Sequence, residues 1–447
     1  MTRRDLLRVL GAGAVCGSGS FGQTPPAEAA DYTLQIGPVS IELSPKRTVK
    51  TMGYNGIAPG PLIRLREGKP VTIEVHNTTN EPEIVHWHGL HIPSEVDGSM
   101  EEGTPMVPPG ATRRYTFTPA PSGTRWYHTH VSAGRNLKKG LYTGQFGFLY
   151  VEPRENPGAY DQELFLALRE WDPYMSTGDG GEGSMDAGWK AFSINDRALG
   201  FGEPIRVRQG QRVLLRILNA SATVLRRIAF AGHSFNVVAL DGNLLRAPLS
   251  VKALELGPAE RVDALVEMNN PGCWILGATS DHDRLAGMGM VFEYAGKPGE
   301  PQWTTPDSAP WDYRIFGQTP TASPVGEPLP LVFRKIFAGT HWVDKWSING
   351  KSWPKADPIR VHANTRYHLI FDNQSDEAHP VHLHRHTFEL TKIEGVPTSG
   401  IYKDVVVVPP RKQIEATLVA NNPGPTLFHC HQQMHMDFGF MALLEYV

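Results

Sequence analysis

Four side chains able to bind a soft metal crowd into seven residues near the C-terminus: His429, Cys430, His431 and His435 in LFHCHQQMH. Three further histidine pairs have one residue between partners. They are His86/His88 in HWHG, His128/His130 in HTH, and His382/His384 in HPVHLHRH, where His379 stands just upstream. On a strand, residues i and i+2 point to one face. Two imidazoles about 6–7 Å apart along the backbone, from a rise of roughly 3.3 Å per residue, can reach one metal or two neighbouring metals. Counting His429/His431, four such pairs supply eight imidazoles. That is too many for one ion and suits a cluster of about three nitrogen-loving metals, copper or zinc rather than calcium or magnesium.

Cys430 lies between His429 and His431 and so faces the other way. With His379 and His435 it makes a set of two histidines and one cysteine, the trigonal ligand set of blue copper. Zinc accepts the same ligand types, but the adjacent histidine cluster favours copper. The arrangement suits electron transfer. A thiolate collects an electron on one face of a strand, and its two neighbours hold an acceptor on the other.

Such pairs need strands to hold them, and the chain supplies strands in three copies. YNGIAPGPLIRLREGKPVTIEVHN from Tyr54, SINDRALGFGEPIRVRQGQRVLLRILN from Ser193 and SINGKSWPKADPIRVHANTRYHLIFDN from Ser347 share an Asn turn, a Pro, an alternating strand and a second strand ending in Asn. Each copy later carries VPPGATRRYTFTP, LGPAERVDALVEM or VPPRKQIEATLVA, and then SGTRWYHTH, PGCWILGATS or PGPTLFHCH. Period-two alternation, frequent turn residues and sparse helix signals predict an all-β chain of antiparallel β-sandwiches. The expected domains run 31–153, 158–296 and 325–447, with a Pro-rich linker over 297–324. In register, His128 and His429 correspond to Gly277, and His130 and His431 to Thr279. The outer copies therefore carry matched ligands and the middle copy none, which predicts a metal site shared between the first and third domains.

Lys+Arg and Asp+Glu nearly balance at 43 and 46. No basic stripe stands out, so nucleic acid is not an expected partner. Residues 1–30 read as a twin-arginine export signal. Arg3-Arg4 precede an apolar run, and small residues close it near Ala29. No other apolar run is long enough to span a membrane. A periplasmic or secreted protein without stable membrane insertion is expected. Loss of Cys16 with the signal leaves Cys273 and Cys430, and the engagement of Cys430 predicts no disulfide.

These motifs resemble the multicopper oxidases, in particular three-domain, laccase-like bacterial enzymes, over nearly all of the chain beyond the signal. The resemblance implies three consecutive cupredoxin-like domains and four coppers per chain: one type 1, one type 2 and two type 3. It implies His379, Cys430 and His435 as type 1 ligands, and His86 and His382 as type 2 ligands. His88, His128, His130, His384, His429 and His431 become the type 3 ligands. The family's axial position falls on Phe440, which cannot coordinate, while strand alternation turns Met441 away. Asp97 resembles the family's acid beside the trinuclear site, and it also stands in a turn before Gly98. The acid that some relatives carry after the last type 1 histidine is replaced by Met436.

The function implied is one-electron oxidation of a small phenol-like donor, coupled to four-electron reduction of dioxygen to water. One chain suffices for the copper sites. Two alternatives are a metallo-oxidase for Cu(I), Mn(II) or Fe(II), and a non-catalytic exported scaffold. The twelve methionines are scattered rather than gathered in a metal-binding insert.

Overall fold

The alternation read from the sequence is realised as burial. The strand Val71–Asn77 buries every second residue, and so does Arg366–Asn373 after its exposed first residue. Their counterpart in the middle domain, Arg212–Asn219, is buried on both faces. One reason is Arg216, whose guanidinium lies over the Tyr150 ring of the first domain and pairs with Asp263 at 2.6 Å. A strand covered on both faces loses its polar alternation.

The computed structural model describes residues 29–154, 159–177, 185–307, 310–320, 326–338 and 342–447; the Arg3-Arg4 segment and Cys16 lie outside them. Asp31–Val447 forms one compact unit. The chain folds as three consecutive cupredoxin-like β-sandwiches, each made of two sheets. In the first sandwich the four-stranded sheet with Tyr32–Ser44 and Val71–Asn77 faces one with Gly123–Thr129 and Val85–His86. The second and third sandwiches each combine a six-stranded and a five-stranded sheet in the same strand order. Pairing is mainly antiparallel, but each of these six sheets also contains one parallel pair, such as Tyr32–Ser44 beside Val71–Asn77. Alternation alone does not report strand direction, because side-chain period is two in either case.

The asparagines shared by the three copies have the same structural job in each. Asn55, Asn195 and Asn349 all adopt positive φ, at 52°, 57° and 52°. Their side chains accept from Gln35, Ala167 and Val332 N–H and so tie the turn to the first strand. The strand-ending Asn77, Asn219 and Asn373 donate across the sandwich to Val107, Leu256 and Val408 carbonyls. Asparagine does this because it tolerates the left-handed region and carries both a donor and an acceptor.

The linker is pinned to the sandwiches at Tyr313, which is buried and donates its hydroxyl to Glu260 at 2.6 Å. Cys273 and Cys430 are both free and buried. Among the described residues no helix is long and apolar enough to cross a membrane.

Candidate metal centre

Two short strand pairings build the site. Val85–His86 pairs with Gly123–Thr129 so that His86 lies opposite His128. His379–Leu383 pairs with Thr426–Cys430 so that His382 lies opposite His429 and Val381 opposite Cys430. Directly opposed residues share a face. The two edges meet, and the eight histidines of the four His-x-His pairs close into one cluster. His88 stacks on His382 with ring centroids 3.8 Å apart, and His86 on His384 at 4.0 Å. His130 and His429 stand 5.3 Å apart, His128 and His431 5.2 Å. The nitrogens of His86, His382 and His384, of His86, His88 and His128, and of His130, His384 and His429 converge within 4.8 Å in each set.

The outer nitrogen of most rings is committed. His86 Nδ1 donates to the Asp97 carbonyl at 2.9 Å, and His382 Nδ1 to the Asp404 carbonyl at 2.7 Å. His128 and His429 donate from Nδ1 to the Thr129 and Cys430 carbonyls. His384 Nδ1 donates to Asp97 Oδ2 at 2.9 Å. His88 is reversed, with Nε2 donating to Asp404 Oδ1 at 3.1 Å. A committed N–H fixes the tautomer and leaves the other nitrogen as a lone pair. Those inward nitrogens include His86 Nε2, His130 Nε2 and His382 Nε2, all buried with no hydrogen-bond partner, and His431 is buried with neither nitrogen bonded, so one of its two is also a free lone pair. Such orphans are rare in folded proteins. Convergent, unprotonated nitrogens are the donor set that copper accepts.

Burial, followed mainly by the mutual repulsion of neighbouring rings, pushes the pKa of His88, His128, His384 and His431 well down; His130 falls to about 4. These five rings are therefore neutral. All eight are also sealed: seven are at most 1% exposed, and His130 is 9% exposed.

On the other face of Thr426–Cys430, Cys430 Sγ lies 3.5 Å from His435 Nδ1 and 3.8 Å from His379 Nδ1. The two Nδ1 atoms are 3.2 Å apart. Burial holds the thiol pKa well above its usual value, so thiolate at this position calls for a bound cation. His379 Nε2 bonds Ser375 Oγ at 2.8 Å, and His435 Nε2 donates to Glu377 Oε2 at 3.2 Å. Trp346 packs on both rings, 4.7 Å from His379 and 4.2 Å from His435. Cys430 and His379 are fully buried, whereas His435 is 5% exposed, so of the three only this ring reaches solvent.

Phe440 reaches the same face. Cys430 N–H donates to the Phe440 carbonyl, and the Phe440 ring centroid lies 4.8 Å from that of His379. Met441 is paired with His429 and packs with Leu427 and Met436.

Asp97 closes a four-residue helix, Ser94–Asp97, and its carboxylate contacts His384 and, at 3.1 Å, His86 Nδ1. Gly98 follows with φ 100°, and a Cβ there would meet Val85 O at 1.9 Å. Only glycine lets this loop close on the His86 strand. In the middle sandwich Gly277, at the position of His128 and His429, has no room for a larger side chain: a Cβ would lie 2.7 Å from Met288 O.

Three acids escape the sequence reading. Asp404 pairs with Arg261 at 2.6 Å and Arg125 at 3.3 Å while accepting from His88. Glu102 accepts from Leu427 N–H and stands 3.2 Å from His384 Nδ1. Burial and the neighbouring Asp97 push its pKa well up. Glu377 is the third. None sits at a fixed spacing from a histidine, so no linear signal marks them; the one hint is a lone Asp before Val405–Val408. Asp437 is already engaged, accepting from Ala133 and Gly134 N–H. His91, His386, His233, His362 and His368 each bond a side chain or carbonyl outside the cluster, as does His282; His341 lies outside the described residues.

Multicopper oxidase family models match residues 35–156, 173–292 and 327–446. The chain is 32% identical to multicopper oxidase MmcO of Mycobacterium tuberculosis, over 96% of this chain and 92% of that one. It resembles the crystal structure of a multi-copper oxidase from Pseudomonas thermotolerans, with 27% identity, a TM-score of 0.73, and 94% and 100% of the two chains covered. It shares the fold of Fet3p, described as a multicopper oxidase that functions in iron import. That match has a TM-score of 0.79 at 20% identity, over 93% and 90% of the chains.

Proposed function

Given that the chain belongs to the multicopper oxidase family, whose members are copper-dependent oxidoreductases, we propose that it is a laccase-type enzyme. It couples one-electron oxidation of phenolic or similar donors to four-electron reduction of dioxygen to water. His379, Cys430 and His435 hold one type 1 copper. His86 and His382 hold the type 2 copper. His88, His128, His130, His384, His429 and His431 hold two type 3 coppers. Bound there, the four metals supply one-electron redox chemistry and store the four electrons that dioxygen needs.

The observation that carries this reading is the strand Thr426–Cys430, which aims Cys430 at one histidine pair and His429 into the buried cluster. The residues divide the remaining work. Asp97, Asp404 and backbone carbonyls hold the rings in one tautomer and orientation. Burial excludes water from the cluster. Asp97 and Glu102 place carboxyl groups where protons are consumed.

A metal-ion donor is the second reading. Glu377 touches His435, and Asp186 is close enough to interact with the same ring; Fet3p, of the same fold, is described with iron import. Lys335, however, bridges Glu377 at 3.0 Å and Asp344 at 2.9 Å, so the carboxylate that touches His435 is already held by a cation of the protein's own. This favours an uncharged or anionic organic donor. The domains are proposed to run 31–153, 158–296 and 325–447, since the strands of each sandwich fall inside these limits. Export by the twin-arginine route rests on the N-terminal segment. One chain carries every proposed ligand, so a monomer suffices.

The test is a steady-state comparison of 2,6-dimethoxyphenol, Cu(I), Mn(II) and Fe(II) on copper-loaded protein, with Cys430→Ser as control. The phenol should give the highest kcat/KM, and the variant should lose colour and turnover together. Preference for a metal ion selects the second reading. A folded, copper-loaded Cys430→Ser protein that still turns over refutes both.

A further inference from the structure

A cleft of about 860 Å³ has no part in the chemistry above. It opens between the first sandwich's edge strand Arg47–Tyr54, the loop Arg135–Lys138 and the start of the second sandwich. Five cationic side chains line it, Arg47, Lys50, Arg135, Lys138 and Lys190, against one acid, Asp172. On a chain with formal net charge −3 this concentration stands out. Asp172 is taken by Arg47 at 3.2 Å. Lys50 and Lys138 have no carboxylate partner among the described residues, and Lys190 lies over the Tyr174 ring at 5.6 Å.

A second feature points to a ligand independently of charge. Tyr142 lines the cleft, is 3% exposed, and its hydroxyl has no hydrogen-bond partner. Leaving a buried hydroxyl without a partner is unfavourable, so its persistence is informative. Burial and the charges of Asp437 and Asp186 push its pKa well up, which leaves it a proton donor.

Asp186 couples the cleft electrostatically to the type 1 histidines. Asp186 interacts with both Tyr142 and His435. Arg135 on the rim lies 5.7 Å over the exposed Trp342, four residues from the Trp346 that packs on His379 and His435.

Cations, the unpartnered Tyr142 hydroxyl in the wall and the aromatic side chains of Tyr142 and Trp171 in the lining are what an aromatic molecule bearing a carboxylate would need. We infer that this cleft binds aromatic carboxylates and that it draws anionic donors toward the His435 side of the molecule. The inference rests on the laccase-type reading for its donors, but not for its binding.

The test uses the copper-loaded protein and two pairs of probes. Non-phenolic 3,4,5-trimethoxybenzoate and its methyl ester report binding by calorimetry. The 4-hydroxy-3,5-dimethoxy acid and its methyl ester report KM and kcat. The acid should bind about tenfold or more tightly than the ester, a difference of about 1.4 kcal/mol. The preference should collapse in Lys50→Gln/Lys138→Gln and in roughly 1 M salt, where the Debye length is about 3 Å. Tyr142→Phe should weaken the acid alone, and its lost hydroxyl leaves a shape that folds. KM for the phenolic acid should rise in parallel, with kcat and ester kinetics unmoved. Equal binding of acid and ester, or an acid affinity indifferent to the lysines, overturns the inference. If neither phenol is oxidised yet lysine-dependent binding persists, the donor reading fails and the cleft stands. If both phenols are oxidised with KM values that the variants do not change, the enzyme reading stands and the cleft falls.

Discussion

Asp97 Oδ2 stands 2.9 Å from His384 Nδ1, although 287 residues separate them. The same oxygen is 3.1 Å from His86 Nδ1. One carboxylate of the first sandwich thus sets the orientation of a histidine from each end of the chain. Asp97→Asn removes the charge and one of two equivalent oxygens. We expect dioxygen-driven reoxidation to slow by about 10–100-fold, the usual effect of losing an orienting partner, with type 1 reduction little changed. Stopped-flow traces of the two half-reactions check this; reoxidation at the wild-type rate reduces Asp97 to a turn residue.

Asp404 serves Arg125 of the first sandwich and Arg261 of the second from its own place in the third. All three side chains are fully buried. Asp404→Ala strands two guanidinium groups. Breaking a buried pair costs about 3–5 kcal/mol, and Asp241, 3.7 Å from Arg261, recovers part of it. The apoprotein should lose several degrees of Tm, and the loaded protein should bind less copper. An apoprotein Tm equal to wild type contradicts the bridging role.

Phe440→Met should lower the type 1 potential, because a thioether gains a bond to Cu(II) that a phenyl ring lacks, and that bond favours the oxidised state. Met441 faces the His429 side, so Met441→Leu should leave the potential where it is. Redox titration of both variants decides, and the reverse pattern would place Met441 on the metal.

Glu83 is held at about 7, chiefly by burial, while Gln145 and Thr129 hydrogen bonds pull the other way. A carboxyl with a raised folded pKa binds a proton that the unfolded chain has released. Its contribution is thus present below about 4.5, the unfolded value, and is lost as pH rises to about 7. At about 1.4 kcal/mol per unit the loss is at most about 3 kcal/mol. Glu83→Gln should flatten the apoprotein Tm between these limits, raising it relative to wild type at the alkaline end. Parallel Tm profiles for the two proteins would dismiss the effect.

The sequence by itself determined the candidate ligand residues, the split of Cys430 from its flanking histidines and the absence of matching histidines at Gly277 and Thr279 of the middle copy. These are local facts of strand geometry: with period two, HCH must face two ways, and a Gly must carry no ligand. It also carried the three sandwiches, because the same Asn turns and alternating strands recur and burial follows alternation. Only the tertiary structure decided how the rings are held. Asp404 and Glu102 reach their histidines across sandwiches and Glu377 reaches His435 from elsewhere in the third, and a carboxylate's partner depends on where distant backbones meet rather than on spacing along the chain. Strand direction was equally hidden, since parallel and antiparallel neighbours alternate alike. The basic cleft belongs to the same class: Lys50, Lys138 and Lys190 are ordinary surface lysines in the sequence, and only folding brings them, with Tyr142, around one space.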